Sequence, residues 1–182
     1  MIINNPQNST IVPTNFSHLR FAVNSSYDSM ITTLKSMKPS PELTSEQQDQ
    51  IFLVIGTLLQ WIMVCWERRD KKDGSSPDEQ SFMDALRQPN NLLKHNHTFV
   101  EFQYSSSVIT GGFNRGGFNR TAFNRSIVII NYFWKNLDDI LVKKNHRSYI
   151  KEYNIQLSGK EIIPTLNKAK EIVLTSLPDV KS

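Results

Sequence analysis

A single cysteine, Cys65, rules out any disulfide framework within the chain. It lies in the apolar run Trp61-Ile-Met-Val-Cys-Trp66, where a thiol is expected to be buried as a small hydrophobe rather than to act as a nucleophile or ligand. No phosphate-binding glycine loop, dinucleotide fingerprint, nucleophile elbow or zinc signature occurs among the 182 residues, and no cofactor is expected. His95 and His97 have no Cys, Asp or Glu at ligand spacing, which leaves no metal site to propose. The most apolar stretch, residues 51–66, is interrupted by Gly56, Thr57 and Gln60 and falls short of the ~20 residues that a spanning helix requires, so a core helix is expected. The first residues, Met-Ile-Ile-Asn-Asn-Pro, lack a basic stretch followed by an apolar one, so a cytoplasmic protein without membrane contact is the expectation.

What is present bounds the fold. An apolar content of 38% over 182 residues suffices for one core of ordinary size, hence one domain over 1–182 with a polar tail at 1–12. The net charge of +4 is unevenly placed. Residues 1–110 carry 9 Lys+Arg against 11 Asp+Glu, whereas residues 111–182 carry 12 against 6. The C-terminal part is therefore where a polyanion would settle.

Phe16, Leu19, Val23, Tyr27, Met30, Leu34 and Met37 recur at steps of three and four, one stripe of a helix that Pro39 and Pro41 terminate. Thr44-Ser-Glu-Gln47 has the form of a capping box, and the helix after it is apolar on nearly all sides. Such a helix is either the centre of a bundle or partly reserved for a second copy of the chain. A third helix opens with Ser76 as cap and Pro77 at its first position; Phe82, Ala85, Leu86 and Leu93 form its buried stripe, and Pro89 predicts a kink or restart. Alternation over 98–104 and the run at 126–131 predict two short strands. Residues 131–144 predict a helix with Phe133, Leu137, Ile140 and Leu141 on one face. A basic segment over 143–147 leads to Tyr149, Ile150 and Tyr153. A last helix with Ile162, Leu166, Ala169, Val173 and Leu177 as its stripe begins after Ser158 or near Pro164. The fold expected is mainly α, a helical bundle with a small β-hairpin excursion around 98–131.

Between the two strands, Gly-Gly-Phe113-Asn-Arg115, Gly-Gly-Phe118-Asn-Arg120 and Thr-Ala-Phe123-Asn-Arg125 repeat with a period of five. That period fits neither a helix face nor a strand face, so a loop over 105–126 is expected. Phe can stack on bases, Arg can grip phosphate and Gly lets the backbone approach, which makes Arg115, Arg120 and Arg125 candidate RNA contacts. A local duplication in a tolerant loop would leave the same pattern.

One segment collects groups for proton transfer beside groups that could hold a phosphate: Asp84-Ala-Leu-Arg87-Gln-Pro-Asn90-Asn91-Leu-Leu-Lys94-His95-Asn-His97. On an uninterrupted helix Arg87, Asn91 and His95 lie four residues apart in succession, within about 80° of one another. Cleavage of RNA without metal needs proton transfer at the 2′-OH and the leaving oxygen, and cations for the charge on phosphorus. An imidazole at His95 suits the first task. Arg87 and Lys94 supply the second, Asn90 or Asn91 could orient phosphate or imidazole, and Lys94 and His97 are further candidates for binding RNA. A solvated polar helix end would contain the same residues without any such role.

The string Leu86-Arg87-Gln-Pro-Asn-Asn91-Leu-Leu-Lys-His95-Asn96, with weaker support from residues 46–100 and the final helix, resembles the HEPN proteins of prokaryotic toxin and defence systems. The resemblance implies a helical homodimer in which two protomers join Arg, polar and His residues into a metal-independent endoribonuclease. Carried over, Arg87 would stabilise the phosphate, Asn90 or Asn91 would assist and His95 would transfer protons. An antitoxin or a defence partner protein is implied as well. Seven residues separate Arg87 from His95 and Pro89 stands among them, a departure from the family's pattern. The alternative it raises is a degenerate member, a nucleic-acid-binding or adaptor protein that does not cut.

Overall fold

The computed structural model describes residues 16–37, 40, 42–69, 74–95, 98–109, 125–136 and 149–178, with backbone alone at 105–109 and 125–128. In chain order these form α1 (Phe16–Ser36), α2 (Ser45–Arg68), α3 (Pro77–Lys94), β1 (Val100–Ile109), β2 (Arg125–Trp134), α4 (Ile150–Gln156) and α5 (Ile162–Ser176). The expected class, a helical bundle with a small hairpin, is the one observed.

The apolar stripe of α1 turns Leu19, Val23, Met30 and Leu34 into the core. Its Arg20 reaches the far end of the chain, donating from Nη1 to the Leu174 carbonyl and from Nη2 to the Leu177 carbonyl, both at 2.7 Å. Those carbonyls belong to the end of α5, where a helix leaves acceptors unpaired and its dipole favours a cation.

Helix α2 starts at the capping box read from the sequence: the Thr44 hydroxyl accepts from the Gln47 amide, and the Gln47 side chain accepts from the Thr44 amide. It extends to 24 residues with a mean hydropathy of 1.5 in its most apolar window, so length and composition alone would let it cross a membrane. Its packing is that of the bundle's central helix, against α1, α3 and α5, with Ile51, Ile55, Leu58, Leu59, Ile62 and Trp66 fully buried. Gly56 sits where α2 meets α3 closely; a Cβ there would lie 3.0 Å from Leu93 Cδ1.

Helix α3 begins with a second capping box, Ser76 and Glu79, and with Pro77 in the first turn. Of the kink or restart expected at Pro89, the restart does not occur; one helix runs from Pro77 to Lys94 with Pro89 inside it. The missing amide costs the Ala85 carbonyl its partner, about 3 kcal/mol with the ring clash. Burying Phe82, Met83, Ala85, Leu86 and Leu92 on the same helix offsets that cost, since each large apolar side chain contributes roughly 1.5–3 kcal/mol.

The hairpin departs further from expectation. Strands β1 and β2 pair antiparallel from Val100↔Trp134 to Ile109↔Arg125, so residues 105–109 and 125–126, expected in the loop, belong to the ladder. Residues 131–134, expected to open a helix, are the end of β2. Tyr132 and Trp134 are buried while Phe133 between them is only half-buried, the period-2 pattern of a strand. The three-and-four spacing of Phe133, Leu137, Ile140 and Leu141 was a coincidence at its first member, and the other three lie outside the described residues. So does the basic segment over 143–147.

The base of the hairpin is locked to the helices. Phe99 packs between Phe52 of α2 and Trp134 of β2, with ring centroids 5.1 Å and 6.0 Å away. Trp134 donates from Nε1 to Thr165 Oγ1 on α5 at 2.6 Å, and its backbone N–H and C=O pair with Lys160 and Gly159. Gly159 supports that turn at φ 70°, a conformation that glycine adopts without strain. On the same end, the Tyr153 hydroxyl donates to the Lys135 carbonyl at 2.6 Å.

Candidate nucleic-acid interface

The unbroken α3 keeps Arg87, Asn91 and His95 in helical phase, but it also spaces them. Eight residues of α-helix rise ~12 Å, more than one phosphate group can bridge. Arg87 is half-buried and already engaged: Nη1 lies 3.3 Å from Glu67 Oε1 of α2, Nε lies 3.2 Å from Asp84 Oδ1, and the guanidinium stands 5.8 Å from the Tyr149 ring centroid. Two carboxylates thus neutralise the cation assigned to a phosphate. Lys94 and His95 are exposed at the end of α3, where His95 closes the helix with its amide directed to the Asn91 and Leu92 carbonyls. Asn91 is half-buried. Asn90 is 7% exposed, and its Oδ1 has no hydrogen-bond partner among the described residues.

His97, Arg115 and Arg120 lie outside the described residues. Arg125 is the first residue of β2, opposite Ile109, so the 15 residues from 110 to 124 leave and re-enter the hairpin at one end. The repeats therefore lie in the sequence between two paired strands, on the more basic part of the chain.

Two grooves lie elsewhere among the described residues. One groove of about 430 Å³ runs along β1, between Phe102 and Tyr104 and the start of α2 at Leu43 and Gln48. Another, of about 520 Å³, lies between α1 and β2 and is walled by Tyr27, Ile31, Leu34, Ile130 and Tyr132. Neither contains a residue of α3. Sequence reasoning did not single out these grooves. Their local signal is that Ile129 and Ile130 are apolar at successive positions, so both faces of β2 offer contacts there.

Burial governs the titratable groups that shift. The Cys65 thiol is pushed from 9.0 up to about 11 by burial, against a smaller lowering by Arg68 and Arg20. Burial also raises the Tyr132 and Tyr153 phenols, and that of Tyr27 together with the nearby charges of Asp28 and Glu171. A thiol held neutral is no nucleophile at neutral pH, in keeping with the structural part expected of Cys65.

No protein-family model, no curated protein and no solved structure matches the chain.

Proposed function

We propose that the protein binds RNA without cleaving it, as a degenerate member of the HEPN type. The observation that carries this reading is the engagement of Arg87 by Glu67 and Asp84, ~12 Å of helix rise away from His95. A metal-independent nuclease needs that guanidinium beside the imidazole, open to a phosphate. Binding needs only cations and stacking surfaces, which the Phe-Asn-Arg repeats and the exposed Lys94 supply.

A second reading, the endoribonuclease toxin or antiviral defence effector, is favoured by one specific observation. Lys94 and His95 are exposed at the end of α3, and Leu53 and Trp61 are exposed on α2 at 65% and 37%, so a homodimer could bury the α2 face and bring two copies of Arg87, Asn91 and His95 together. Labelled RNA incubated with the protein in EDTA separates the two. Retention without cleavage supports the binding reading; cleavage that disappears in His95→Ala overturns it. Changing Arg115, Arg120 and Arg125 together to Ala is expected to reduce the slope of log K against log salt by about 2, three phosphate contacts at ~0.7 each. An unchanged slope removes the repeats from the interface.

A further inference from the structure

We draw no further inference here: the strongest candidate, the apolar face of α2 exposed at Leu53 and Trp61, has nothing in the structure to show what covers it.

Discussion

The bond between Trp134 and Thr165 ties the hairpin to α5, and its contribution can be isolated. The indole is fully buried and donates from Nε1 to Thr165 Oγ1 at 2.6 Å. Thr165→Val keeps the shape of the side chain but leaves the indole N–H inside the protein without an acceptor, a loss of about 1–3 kcal/mol. Trp134→Phe removes the donor and some volume while retaining an aromatic ring against Phe99, at a similar cost. Once the donor is gone, Thr165→Val has little left to remove, so the double variant should fall short of the sum by about 1–2 kcal/mol. For a chain of this size a 2 kcal/mol loss corresponds to a fall in melting temperature of roughly 4–8 °C. Urea unfolding of the four proteins at constant m-value gives the coupling directly. Additivity within about 0.5 kcal/mol would refute the reasoning, because it would mean that the hydrogen bond contributes nothing that water does not replace.

Glu67→Gln releases one of the two carboxylates on Arg87. Because 57% of the Glu67 side chain is exposed, urea unfolding should show stability unchanged within about 0.5 kcal/mol, while filter binding at low salt should show RNA affinity rising severalfold. A fall in affinity would dissociate Arg87 from RNA contact. Asn90→Leu replaces a buried carboxamide whose Oδ1 lacks a partner among the described residues and is expected to raise stability by about 1 kcal/mol in thermal melts; destabilisation would show that the amide is satisfied. Cys65 has a folded-state pKa raised from 9.0 to about 11, so the unfolded chain releases this proton first as pH rises. Stability from this group is complete below about pH 9 and is lost as pH climbs through about 11, and Cys65→Ala should flatten the decline seen in unfolding measurements across that window.

The elements that were legible are those whose signals are local. A capping box satisfies amides three residues away, and an amphipathic stripe repeats within a few turns, so α1, α2, the start of α3 and the stripe of α5 could be read from neighbouring residues. The hairpin was harder because its pairing spans 16 to 34 residues of sequence separation, from Ile109↔Arg125 to Val100↔Trp134. Phe133 illustrates the ambiguity: one aromatic at the right interval from Leu137 fits a helix as well as a strand, and the deciding fact is that Trp134 next to it finds Phe99 and Thr165, 35 and 31 residues away.

The site shows the same limit in electrostatic form. Residue types on α3 name groups that have the chemistry, but whether a guanidinium is available depends on what faces it. Asp84, three residues before Arg87, was visible as a helical neighbour; Glu67 was not, since it comes from α2 across a turn. Each carboxylate is partly exposed and adds little to folding, so the pair is not explained by stability alone. Its effect falls on binding: a phosphate approaching Arg87 must displace two anions already in place, and each displacement weakens the grip that an unpaired guanidinium would give. RNA recognition through this helix is therefore expected to be weaker and less salt-sensitive than recognition through arginines without such neighbours. Comparing the salt slope of Arg87→Ala with that of the triple arginine variant in the repeats measures the difference, and a larger change for Arg87→Ala would reverse the assignment.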